Sequence, residues 1–189
     1  GQGASVCAIQ NGKSVETSMG LTPLGGIPMG TRSGDLDPSV VTYLMKKENL
    51  TPQEMEDILN KKSGVYGMSR GVSVDFRDIE NEALAGGTHA QMDIYHYLTA
   101  SYVAKCAVAM GGIDVLTFTA GVGEKGPISR KAICDQLEFF GVKIDDEKNK
   151  IRGEEVEISA EDSKVKVYVV PTNEELMIAR GLRDVLSNP

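Results

Sequence analysis

Apolar residues recur with two different periods along this 189-residue chain, and each change of period marks an element. From Ala4 to Gln10 small and branched apolar residues alternate, Asn11-Gly12 is a strong hairpin-turn signal, and Lys13 to Met19 supplies a second strand. The chain is therefore expected to open with a β-hairpin. Residues 20 to 37 are rich in Gly and Pro and read as a long loop, after which Val40, Val41, Leu44 and Met45 recur at helical spacing. Thr51-Pro52-Gln53-Glu54 combines a capping box with Pro at the first helical position, and Gly64 behind Lys61-Lys62 sits where that helix should stop. Gly67 to Asp75 reads as a loop, Asp78 to Ala85 as a helix, and Thr88 to Met110 as a long helix behind Gly86-Gly87.

Val115 to Thr119 is a compact strand-like run, Ile128 to Phe139 a helix closed by Gly141, and Val142 to Ile144 the start of another strand, which together predict a βαβ unit. Glu155 to Ile158 alternates, Val165 to Val170 is apolar apart from Lys166, and Asn173 to Leu186 forms an amphipathic helix with Glu174 and Glu175 in its first turn. This order predicts an α/β fold with at least one parallel strand pair, organised as one domain over residues 1 to 189. In such sheets ligands bind beyond the carboxyl ends of strands, so the loops after Thr119 and Val170 are the places to look for chemistry.

Composition narrows the class. Twenty Lys and Arg against 27 Asp and Glu leave a formal charge of -7, the wrong sign for a surface that neutralises nucleic-acid phosphates or anionic lipid. No apolar stretch approaches the roughly 20 residues of a membrane helix, and no signal-peptide pattern opens the sequence, so a cytoplasmic protein is expected. Cys7, Cys106 and Cys134 lack the spacing of a disulfide framework or a zinc site and are expected to be buried thiols. The chain starts on Gly1 inside a glycine-rich run, as a cut chain would.

Ala120-Gly121-Val122-Gly123-Glu124-Lys125-Gly126 follows a strand and opens a helix, a setting in which backbone N–H groups can face a phosphate. Gly121, Gly123 and Gly126 also satisfy G-x-G-x-x-G, with Asp145 or Asp146 at about the right distance to hold a ribose, so a Rossmann-type NAD-binding domain stays open on spacing. Against it, that fingerprint normally sits on the first strand of its fold. The glycines could equally serve only close packing of helix and strand.

Longer motifs carry more information. Gly30-Thr31-Arg32-Ser33-Gly34-Asp35-Leu36-Asp37-Pro38 and Pro171-Thr172-Asn173-Glu174-Glu175-Leu176-Met177-Ile178-Ala179 closely resemble segments of the acetate kinase family. Thr17 to Gly20, Asn60 to Gly64, Asp75 to Asp78 and Gly121 to Glu124 fall in the family's order, so the resemblance covers the whole chain. It implies an actin-like (ribonuclease H-like) ATPase domain of the acetate and sugar kinase, Hsp70 and actin superfamily. The implied reaction is ATP plus acetate giving acetyl phosphate plus ADP with Mg2+. The chain would be the C-terminal ATP-binding lobe of a two-lobed kinase, with the N-terminal lobe and its acetate pocket absent and the fragment alone inactive. Propionate as acceptor fits the same motifs, and the family implies a homodimer.

The resemblance also assigns roles. Gly1, Gln2 and Gly3 match the end of the family's first phosphate turn, with Gln2 where Asn is usual. Arg32 matches the arginine that stabilises the transferring phosphoryl group, and a planar guanidinium suits that task. Asp75, Phe76 and Arg77 match the segment along the adenosine, in a loop one residue longer than usual near Arg70. Gly121, Val122, Gly123, Glu124 and Lys125 match the family's Gly-Ile-Gly-Glu-Asn at the nucleotide. Ala120 stands where Gly is usual, so a positive φ there would be strained. Glu174 matches the Mg2+ carboxylate. Read without the resemblance, Arg32 could simply pair with Asp35 or Asp37, and Glu174 could simply complement a helix N-terminus. His89 and His96 match no catalytic position and are assigned none.

Overall fold

A computed structural model describes residues 3–76, 78–79 and 90–187. They are α/β and group into two compact units, Gly1–Ile113 with Ala132–Phe140, and Asp114–Lys131 with Gly141–Pro189.

The first unit opens with strands β1 (Cys7–Gln10) and β2 (Lys13–Thr17), paired antiparallel with an irregularity between Ala8 and Ile9. Asn11 at φ 52 and Gly12 at φ 75 make the two-residue turn, the conformation whose twist matches a hairpin. Helix α1 (Pro38–Glu48) is capped by the Asp37 carboxylate, which accepts from Ser39 N–H at 2.8 Å. Helix α2 (Pro52–Lys61) has the expected capping box between Thr51 and Glu54. A five-residue helix α3 (Gly64–Met68) follows, where the sequence suggested a stop and a loop. Its first N–H groups donate to distant carbonyls, Val65 to Met29 and Tyr66 to Gly30, both at 2.9 Å, so its start depends on tertiary partners.

Helix α4 (Ala90–Met110) lies against both hairpin strands and buries Met92, Tyr95, Val103, Cys106 and Ala107. Ala8, Ile27, Met29, Met55 and Val65 complete the main core of this unit. Of the helix expected over Asp78 to Ala85, all but its first two residues lies outside the described residues, as does His89. Cys106 and Cys134 are buried as expected, but Cys7 is exposed because it lies on the open face of the two-stranded sheet.

The second unit holds a three-stranded sheet of β3 (Val115–Phe118), β4 (Val156–Glu157) and β5 (Lys166–Val169). β5 is central, parallel to β3 and antiparallel to β4. Val167 and Val169 are fully buried, while Lys166 and Tyr168 face outward and meet Glu157, the period-two pattern of a half-covered strand. The strand expected at Val142 to Ile144 is reduced to two isolated bridges, Val142 to Val165 and Ile144 to Ser159. Its residues meet two different segments, so no ladder forms, and the parallel partner of β3 is β5.

Helix α5 (Ala120–Lys125) carries the glycine loop, and α6 (Pro127–Asp135) follows. α6 ends earlier than its periodicity suggested, because Leu137 and Phe140 continue the apolar pattern in tighter turns before Gly141 at φ 86. Helix α7 (Glu174–Ser187) follows β5 closely and buries none of its residues.

Candidate nucleotide site

In the first unit the segment Met29 to Ser33 is stapled along its length. Ser63 N–H donates to Thr31 O at 2.9 Å, Ser33 N–H to Leu59 O at 2.9 Å, Met29 N–H to Arg32 O at 3.0 Å, and Thr31 Oγ1 to Asn60 O at 2.8 Å. Gly64 sits at φ +60, where a Cβ would come 2.2 Å from Met29 O and 2.6 Å from Arg32 O. Only glycine admits that approach. The backbone of Arg32 is thus held by the ends of α2 and α3.

The Arg32 side chain is half-buried and not tied down. Its Nη1 reaches Pro23 O at 3.4 Å and the Met29 sulfur at 3.7 Å, and among the described residues it forms no ion pair. The two aspartates nearby are engaged elsewhere. Asp37 caps α1, and Asp35 accepts Gly26 N–H at 2.7 Å and the Tyr102 hydroxyl. Burial and the Asp35 carboxylate push that hydroxyl up to about 12, which keeps it protonated as a donor. A loop arginine neutralised by Asp35 or Asp37 is therefore not what the fold contains. Gly3 lies alongside, where a Cβ would stand 3.3 Å from Arg32 Nη1.

Asp75 and Phe76 also belong to the first unit. Phe76 is half-buried and meets the buried Tyr95 ring edge-on at 4.7 Å, so one part of its ring is already engaged. Gly1, Gln2 and Arg77 lie outside the described residues.

In the second unit the three glycines of the loop separate by cause. A Cβ at Gly123 would press to 3.2 Å on the carbonyl carbon of Phe118, and one at Gly126 to 2.6 Å on Val122 O, so packing accounts for both. Gly121 has a negative or extended φ and nothing within 4 Å among the described residues, so the chain's own packing does not require glycine there. Ala120 has φ 58, the strained left-handed conformation that glycine would relieve.

Glu124 is buried, and one carboxylate oxygen accepts both Thr172 N–H at 2.8 Å and Thr172 Oγ1 at 3.0 Å. The Thr172 N–H is the main reason its carboxyl lies below the ordinary glutamate range, against the opposing cost of burial. Glu124 thereby latches the glycine loop to the segment after β5. Lys125 is exposed. Glu174 is exposed in the first turn of α7, while Asn173 caps that helix through Leu176 N–H at 3.1 Å. Cap and carboxylate are thus separate residues, with the Glu174 charge in the first turn, where it complements the helix N-terminus. Asp145 accepts from Glu147 and Lys148 N–H, and Asp146 pairs with Lys131 at 3.4 Å. Of the two acids either of which a dinucleotide reading could use, Asp145 is engaged by its own turn and Asp146 makes an exposed surface pair.

The acetokinase family model matches residues 1–180. The chain belongs to the acetokinase family. It is 58% identical over 190 residues to an acetate kinase of Thermotoga petrophila, covering 98% of this chain and 47% of that protein. An acetate kinase of Dictyoglomus turgidum is 57% identical over 182 residues, covering 95% and 45%. Among solved structures, Porphyromonas gingivalis acetate kinase superposes with a TM-score of 0.93 at 48% identity, covering 98% of this chain and 47% of its own. A Francisella tularensis propionate kinase gives 0.88 at 38% identity, covering 94% and 46%. The chain thus spans about half the length of these relatives.

For this acetokinase-family chain, sequence reasoning missed Arg130. It is fully buried, and its guanidinium donates to the carbonyls of both Gly123 and Glu124. One signal was available. An arginine in an otherwise buried helix face, a few residues after a glycine loop, has to find several acceptors there.

Proposed function

We propose that this chain supplies the nucleotide and Mg2+ side of a carboxylate kinase that converts ATP and acetate to acetyl phosphate and ADP. It would be the C-terminal, actin-like ATP-binding lobe of a two-lobed, cytoplasmic, homodimeric enzyme. The observation that carries the reading is Arg32: a guanidinium on a stapled loop, with its neighbouring carboxylates committed elsewhere. Family membership and the relatives named acetate kinase support it, and a structural neighbour named propionate kinase supports a short-chain acyl acceptor more broadly. Among the described residues no helix is long and apolar enough to cross a membrane. The acidic balance argues against nucleic acid as partner.

Phosphoryl transfer requires in-line positioning and charge neutralisation more than covalent chemistry. In the first unit Arg32 donates to the oxygens of the transferring phosphoryl group as charge builds, while Gly3, Asp75 and Phe76 contact the nucleotide, with Gly1, Gln2 and Arg77 assigned beside them. In the second unit Gly121 allows close approach of the nucleotide to the backbone, with Val122, Gly123, Glu124 and Lys125 shaping the loop.

Among the described residues no group of three or more His, Cys, Asp or Glu could hold a metal. Glu174, an exposed carboxylate in the first turn of α7, is the residue that would hold a Mg2+ ion carried by the nucleotide phosphates. When bound, the ion neutralises phosphate charge. The acetate pocket is assigned to the remaining length of the family's chain, so the 189-residue chain alone is expected to make no acetyl phosphate.

A thermal-shift titration with MgADP, MgATP and NADH tests the reading, because a ligand that binds only the native state raises the melting temperature. Stabilisation by MgADP that EDTA and Glu174→Ala both weaken is expected. Stabilisation by NADH alone would overturn it.

A further inference from the structure

We propose that Arg130 is a positioning residue for the nucleotide phosphates, acting through the glycine loop that it braces. The proposal rests on the nucleotide reading of that loop. Helix α5 is six residues long, too short to persist on its own internal bonds, and the last carbonyls of any helix lack partners within it. Arg130 closes that end. Its Nη1 donates to Gly123 O at 2.8 Å and to Glu124 O at 3.0 Å. Its other donors run to a second segment, Nε to Asn149 Oδ1 at 2.8 Å and Nη2 to Asn149 O at 2.6 Å and Ile151 O at 2.9 Å. One planar group with donors on three sides thus ties the end of the loop to residues 149–151. Asn149 is itself buried and fixed by its donation to Pro127 O at 2.8 Å. Gly153 N–H adds a third tie to Glu124 O at 3.1 Å.

Arg130 is 0% exposed, so it reaches a ligand only through the backbone it holds. Its grip on Gly123 and Glu124 and the Glu124 latch to Thr172 fix the loop immediately after Gly121, where open space lies in place of a side chain. A loop already in its binding shape loses less freedom when a ligand arrives, and that saving appears as affinity. Lysine would keep the charge but not the fork that spans carbonyls of two segments.

The test uses the full chain with Arg130→Lys and Asn149→Ala. Hydrogen exchange of amides 121–126 is followed without ligand, and the MgADP Kd is measured by calorimetry well below each variant's melting temperature. In Arg130→Lys, exchange in the loop is expected to accelerate while the β1–β2 hairpin is unchanged, and the Kd to rise about tenfold or more. Asn149→Ala, which leaves the bonds to Gly123 and Glu124 but removes the Oδ1 acceptor of Nε, is expected to move both readouts the same way by less. A residue that only stabilises the fold would lower the melting temperature and leave the Kd of the folded protein unchanged, and that result overturns the proposal. If Arg130→Lys does not fold, Asn149→Ala decides by the same comparison. A wild-type chain that binds no MgADP would instead overturn the nucleotide reading, with the exchange pattern still showing whether the brace exists.

Discussion

Replacing Gly64 with Ala isolates the contact that holds the backbone of Arg32. At φ +60 a non-glycine residue pays roughly 1–2 kcal/mol for the left-handed conformation. The added Cβ would also stand 2.2 Å from Met29 O and 2.6 Å from Arg32 O, and both neighbours are backbone, so neither can rotate away. Forcing such an overlap typically costs a further 1–3 kcal/mol, roughly. Gly12→Ala is the control. Its φ is +75, with nothing within 4 Å of the new methyl group, and it lies in the same unit. Subtracting the two cancels the conformational cost and the effect of alanine on the unfolded chain, leaving the overlap alone, about 2 kcal/mol. For a protein of this size that corresponds to a melting temperature roughly 4–8 °C lower in Gly64→Ala than in Gly12→Ala, read by circular dichroism. If the two variants melt within a degree of each other, the close approach of these carbonyls is not a constraint and the account of how Arg32 is held fails.

Ala120→Gly relieves a left-handed alanine and is expected to raise stability by up to about 1 kcal/mol, checked by thermal melting. Arg32→Ala removes only long contacts, so stability should change by less than about 0.5 kcal/mol. In a complete two-lobed enzyme the same change should lower kcat by about a thousandfold or more with little effect on nucleotide affinity, measured by trapping acetyl phosphate as hydroxamate. Glu124 ionises more readily folded than unfolded, so its contribution is complete above the ordinary glutamate value and is lost as pH falls through its lowered folded value. Glu124→Gln keeps the acceptor for Thr172 but not the charge, so it should cost roughly 1 kcal/mol at pH 7, with the gap from wild type closing in acid. Denaturation midpoints taken from pH 7 down to pH 3 check this.

Local signals in the chain were enough for much of the fold. The Asn11-Gly12 turn, the Thr51–Glu54 capping box and the largely apolar run that forms β5 are each set by a few adjacent residues, and the structure has all three. The long motifs at 30–38 and 171–179 pointed to the family in which the chain belongs. What the sequence could not show depends on partners far apart along it. Helix α3 starts on the carbonyls of Met29 and Gly30, the segment at Val142 meets two different neighbours and forms no ladder, and Gly64 is required by Met29 and Arg32.

The same division runs through the candidate site. By itself the sequence determined which residue types are available, an arginine in a glycine-rich loop and a glutamate after a buried strand, because those follow from composition and local period. Only the tertiary structure decided which of them are left to act. Asp35 and Asp37 are taken by Gly26, Tyr102 and Ser39, leaving Arg32 without an ion pair among the described residues, while Thr172 takes Glu124 and the loop carbonyls take Arg130. The reason is that a buried polar group has to be satisfied by whatever the fold brings within about 3 Å of it, and that neighbour is set by the folded path of the chain rather than by sequence separation.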